Sequence, residues 1–174
     1  MSYDLSLFRL VSGADPREVF LRHQEAEEQD VLAGDAAHRT VQDDSARAGM
    51  ERLAGLPTAR HSAFERFHPQ SPLPWIELND VARQVQVTIS AESVGITMPY
   101  FRQESSEMMQ VAALCIEALE KEAGFVAYDP QLDRVVRYSD LASSLAAYRE
   151  MDRRLPELTR RAGGAMRKPW WKFW

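Results

Sequence analysis

His61, Glu65 and His68 fall close together in the stretch 57–74. Imidazole beside carboxylate is the side-chain set on which general acid–base chemistry near neutral pH most often draws. The stretch also holds Pro57, Pro69, Pro72 and Pro74. Four prolines forbid one regular element, so it reads as a long loop with one helical turn around Ala63–Phe67. Loops carry many catalytic groups, and a small enzyme with its site in 57–74 is one reading of the chain. No nucleophile-and-base pair stands beside these histidines.

The remaining reactive side chains point elsewhere. His23 and Glu27 form a helical i,i+4 pair that could give two metal ligands, but no third ligand can be named, and His38 lies apart. Metal sites need defined ligand sets, so no metal is expected. Cys115 is the only cysteine, which excludes an internal disulfide and a cysteine-rich zinc site. It lies on an apolar helical stripe, where a thiol is inert packing. The glycines never fall into a phosphate-loop or nucleophile-elbow spacing. No catalytic residue and no cofactor is expected.

Two features suit binding. Glu25, Glu27, Glu28 and Asp30 lack the alternating spacing and central glycine of a calcium loop. They read as a solvated helix face and a docking surface for a basic partner. At the other end, Trp170, Trp171, Phe173 and Trp174 interleave with Lys168 and Lys172. Such rings need cover. Three readings stay open: the tail folds back on its own domain or a sister subunit, it anchors another protein, or it makes weak contact with a membrane surface. Nucleic-acid stacking is the remainder.

The elements that must position these residues follow from periodicity and breakers. Tyr3 to Val11 alternates as a strand, with Phe8 and Leu10 on its second face, so its far end is expected to be covered on both sides. Asp15-Pro16 caps a helix running to about Val31, with Val19, Phe20 and His23 inward. Ala36 to Leu53 favours a helix ended by Gly55-Leu56-Pro57. Trp75 to Leu78 reads as a strand. Val85, Val87 and Ile89, then Val94, Ile96 and Met98, alternate with polar residues around Ala91-Glu92, the pattern of an antiparallel hairpin with one apolar and one polar face. That polar face is either solvated or meets a partner. Glu104 to Ala123 is a helix with Met108, Ala112, Cys115, Ile116 and Leu119 on one stripe, capped by Gly124. Phe125–Tyr128 and Arg134–Tyr138 read as short strands around the turn Asp129-Pro130-Gln131. Ser139 caps a last helix with Leu141, Leu145, Tyr148 and Leu155 inward, ended or kinked at Pro156. The order β-α-α-β-β-β-α-β-β-α implies an α+β fold: a mainly antiparallel sheet of about five to six strands with helices packed on one face. Residues 1–162 form a single domain and 163–174 a basic, Trp-rich tail.

The chain has 174 residues, 45% hydrophobic and 27% charged, the make-up of a folded globular domain. Its net charge is −5. Residues 149–174 hold eight Lys/Arg against three Asp/Glu, so the first 148 carry −10. An acidic body of this kind is a poor nucleic-acid binder. No apolar run reaches the ~20 residues that span a bilayer, and the start lacks a signal-peptide pattern. With a lone thiol, these point to the cytoplasm.

Met1-Ser2-Tyr3-Asp4-Leu5, with Gly124-Phe125-Val126-Ala127-Tyr128-Asp129-Pro130-Gln131, resembles a loosely defined group of small uncharacterised bacterial proteins. That resemblance implies a bacterial, cytoplasmic protein and carries no catalytic residue. By size and acidity, the chain also looks like the immunity proteins that neutralise a secreted toxin, an analogy of scaffold only. The expected function is therefore protein binding, of the immunity type, with Glu25, Glu27, Glu28, Asp30, Trp170, Trp171, Phe173 and Trp174 as contacts. A small enzyme or a self-associating structural protein are the alternatives.

Overall fold

The computed structural model describes residues 2–32, 44–67, 75–100 and 105–161. The chain runs β1 (Ser2–Phe8), α1 (Pro16–Leu32), α2 (Asp44–Arg60), β2 (Glu65–Arg66), β3 (Ile76–Asp80), β4 (Val85–Ile89), β5 (Ser93–Pro99), α3 (Ser105–Ala123), β6 (Val126–Asp129), β7 (Arg134–Val136), a 3-10 turn (Tyr138–Asp140) and α4 (Leu141–Arg161). The fold is α+β, as its element order implies. All pairings are antiparallel, in the spatial order β2-β3-β4-β5-β1-β6-β7. The seven strands exceed the expected five to six, and the extra one is β2.

Alternation in the strands decides which face is buried. Tyr3, Leu5 and Leu7 of β1, Leu78 of β3, Val87 of β4, and Ile96 and Met98 of β5 are all buried. They share one core with Met50 and Leu53 of α2, Met108, Cys115 and Leu119 of α3, and Tyr148 of α4. Each such aliphatic side chain contributes roughly 1.5–3 kcal/mol on leaving water. Helices α2, α3 and α4 therefore lie on one side of the sheet. On the other side, Phe8 meets His23 with ring centroids 5.8 Å apart, and Phe20 meets Tyr128 at 5.1 Å. So α1 covers the β1–β6 end from the opposite face, as the two-sided end of β1 implies.

Three local expectations are corrected by packing. Helix α2 does not stop at Gly55-Leu56-Pro57 but continues to Arg60, with Pro57 inside it. An interior proline costs roughly 3 kcal/mol. Met50, Leu53, Ala54 and Pro57, at helical spacing, are buried, and that shared face offsets the loss. The helical turn expected at Ala63–Phe67 is instead strand β2, pairing Glu65 with Asn79 and Arg66 with Leu78. Arg66 is tied to Glu51 of α2 by two bonds of 2.7 and 2.8 Å. Of the two outcomes expected at Pro156, an end or a kink, the end is corrected, because α4 continues to Arg161. At the start of α1, Asp15 Oδ1 accepts the Arg17 N–H at 2.9 Å, the expected cap. Gly124 (φ 68°) closes α3.

Candidate functional site

Two buried aspartates hold the hairpins. In β3–β4 a four-residue link follows Asp80, and in β6–β7 one follows Asp129. Each carboxylate accepts the backbone N–H three residues on: Arg83 N to Asp80 Oδ1 at 3.1 Å, and Leu132 N to Asp129 Oδ1 at 3.1 Å. Each link ends in a left-handed residue, Gln84 (φ 57°) and Asp133 (φ 51°). An aspartate bonding its own turn in this way leaves one oxygen free for a distant partner.

For Asp80 that partner is His61, at the C-terminal end of α2, with Nε2 2.7 Å from Oδ2. Arg83 Nη1 reaches the same oxygen at 3.1 Å, and Arg83 Nε faces Glu107 at 3.3 Å. Asp80 is 1% exposed. Burial alone raises a carboxyl pKa, but the bonds from His61, the Arg83 N–H and the Arg83 guanidinium outweigh it and hold Asp80 below its ordinary value. Against an ionised, acceptor-only carboxylate, His61 Nε2 must carry the proton. The ring then meets Phe64 edge-on at 5.1 Å. This is an anchoring pair between α2 and the hairpin.

For Asp129, 0% exposed, the partners are the Tyr3 hydroxyl and Ser144 Oγ, both donating to Oδ2, the latter at 2.9 Å. Tyr3, Tyr100 and Tyr148 pack ring against ring, and the Tyr148 hydroxyl donates to Pro99 O at 2.5 Å. Burial, then the bond to Asp129, raises the Tyr3 phenol well above its ordinary value. Burial and the fields of nearby carboxylates push Tyr100 up to about 12. The Tyr3 phenol is thus a structural donor at physiological pH. Cys115, pushed up to about 12 by burial alone, is an unreactive thiol. No group of three metal-ligating side chains occurs among the described residues.

The residues of the loop 57–74 do not converge where they are described. Glu65 pairs with Asn79 on the face of the sheet away from α2, whereas Asp80 and His61 lie on the helical side. His68 lies outside the described residues. Of the acidic helix set, Glu25 is exposed on α1. Glu27, Glu28 and Asp30 belong to the same helix, but their side chains lie outside the description. Trp170, Trp171, Phe173 and Trp174 also lie outside the described residues.

What the register does bring together is the polar face of the sheet. Glu65, Asn79, Gln86, Thr97 and Asp4 stand in one row across β2, β3, β4, β5 and β1. Glu77, Thr88, Gly95, Ser6 and Tyr128 form the neighbouring row, from β3 to β6. At about 4.8 Å per strand, the first row is roughly 19 Å long. Asn79 Nδ2 donates to Glu77 Oε1 at 2.8 Å and Ser2 Oγ to Asp4 Oδ2 at 2.9 Å. Strands β1, β3, β4 and β5 contain no Lys or Arg. The alternation of 84–98 and of β1 already pointed to polar faces; that β1 and β2 extend one surface depends on pairing between strands distant in sequence.

Comparison with protein-family models, with curated proteins and with solved structures gives no match to this chain. Residues 2–8 and 124–131 are neighbours in space. Strand β1 pairs with β6, and the Tyr3 hydroxyl closes on Asp129. Among the described residues, no helix is long and apolar enough to cross a membrane.

Proposed function

We propose that this chain is a protein-binding module, an immunity-type inhibitor that neutralises a bacterial toxin by covering it in the cytoplasm. The observation that carries this reading is the division of labour in the sheet. One face is closed by α2, α3 and α4 over a continuous core. The other presents two ordered rows of polar side chains across β1–β5. The buried aspartates that could have served chemistry are used as turn anchors, each bonded to its own hairpin. A rigid scaffold with a broad hydrogen-bonding surface suits an inhibitor, which needs complementarity rather than a reaction centre. The −10 charge of the first 148 residues favours a basic partner.

The test is co-expression with a toxic product of a neighbouring gene in the bacterial genome that encodes the chain. The expected result is restored growth and a complex that survives gel filtration at micromolar concentration. Continued toxicity, with both proteins eluting separately, refutes the reading.

A further inference from the structure

The centre of the polar face is Gly95, between Thr88 on β4 and Ser6 on β1. A glycine inside a strand weakens it by roughly 0.5–1 kcal/mol relative to alanine. Such a residue is retained where φ is positive or where a side chain would clash. Neither applies here. Gly95 is not among the positive-φ glycines, and a Cβ added to it meets no described atom within 4 Å. The described residues therefore supply no reason for the missing side chain, and the gap suits close approach by a partner. Around this gap the described surface is polar and anionic. Asp4, Glu65 and Glu77 are its charges, and the strands β1, β3, β4 and β5 bring no cation to it. The one arginine of β2, Arg66, is directed to Glu51 on the helical side.

We propose that the open face of the sheet over β3, β4, β5 and β1, centred on Gly95, is the docking surface, and that its occupant is a protein segment presenting lysine or arginine side chains. The proposal rests on the protein-binding reading above and names its surface and partner chemistry. Carboxylates with unused lone pairs accept from ammonium and guanidinium groups, and Thr88, Gln86 and Thr97 between them bond the partner's backbone or amides. The gap at Gly95 lets the partner's chain lie against the strands. Face-to-face pairing of two copies is disfavoured, because two faces of the same sign repel. A nucleic acid is excluded for the same reason.

The experiment uses the full chain, 15N-labelled, titrated with decalysine and followed by amide shifts. The expected map has its largest shifts on β3, β4, β5 and β1, and they fade when salt rises from 50 to 300 mM. Gly95→Arg places a cation in open space and should not lower the urea midpoint, while weakening the peptide about tenfold. Glu77→Lys should act the same way. Gln110→Lys, an equal charge change to Gly95→Arg on the exposed side of α3, should change affinity less than about twofold. Largest shifts on α1, uniform shifts over all acidic sites, no shifts, or equal effects of Gly95→Arg and Gln110→Lys each overturn the proposal. These outcomes are separable from failure of the wider reading. If the toxin is bound but Gly95→Arg and Glu77→Lys bind it unchanged, the surface assignment falls and the binding function stands.

Discussion

Replacing Asp80 by asparagine should destabilise the protein by about 2–4 kcal/mol. The buried carboxylate accepts three donors: His61 Nε2 at 2.7 Å, Arg83 N at 3.1 Å and Arg83 Nη1 at 3.1 Å. A hydrogen bond to a charged group is worth about 1.5–3 kcal/mol, and a buried donor left without a partner costs about 1–3 kcal/mol. Asparagine keeps one acceptor oxygen for the turn but sets an amide N–H against the imidazole N–H. Switching the His61 tautomer recovers part of the loss, which places the sum nearer the middle of the range. For a chain this long, about 3 kcal/mol corresponds to a fall in Tm of about 6–12 °C. Urea unfolding at pH 7 measures it directly. The pH dependence supplies an internal control. The folded pKa of Asp80 is depressed, so its contribution is fully present above the unfolded value of about 3.9 and is lost as pH falls through the lower folded value. The gap between wild type and D80N should therefore shrink on acidification below about 4. A loss under about 0.5 kcal/mol at pH 7, or a gap that widens in acid, would refute the claim that this carboxylate pins the β3–β4 hairpin to α2.

Four further outcomes are expected. Tyr3→Phe removes a donor to the buried Asp129 and should cost about 1.5–3 kcal/mol in urea unfolding. Ser144→Ala, losing the 2.9 Å bond to the same oxygen, should not add to it fully, because the two donors share one acceptor. The Cys115 thiol, pushed up to about 12 and buried, should remain unlabelled by a disulfide reagent at pH 8 in the native protein. It should react with one equivalent in 8 M urea; fast native labelling would show that α3 is not packed as described. Gly95→Ala should raise stability by about 0.5–1 kcal/mol, since the Cβ enters open space at an ordinary φ. Destabilisation would mean that something covers this face.

Local sequence was sufficient wherever one element's pattern decides its own state. The period-two runs in 85–89 and 93–98 specify two strands and the face each buries, because a one-residue slip would turn every apolar side chain to water. Asp15-Pro16 and Gly124 mark helix ends through backbone groups within a few residues. The β-α-α-β order was legible for the same reason. Tertiary structure decided what depends on partners distant in sequence. Strand β2 exists because Asn79, Leu78 and Glu51 hold its two residues. Helix α2 runs through Gly55 and Pro57 because its buried face outweighs two breakers. Only the insertion of β1 between β5 and β6 seats Tyr3 on Asp129 and aligns Asp4 with Thr97, Gln86, Asn79 and Glu65. Propensity acts over neighbouring residues, whereas the pairing that assembles the polar rows joins residues as far apart as Asp4 and Thr97, or Ser6 and Tyr128. That separation is why the acidic helix and the aromatic tail drew attention in the sequence, while the surface the sheet builds became visible only once its register was known.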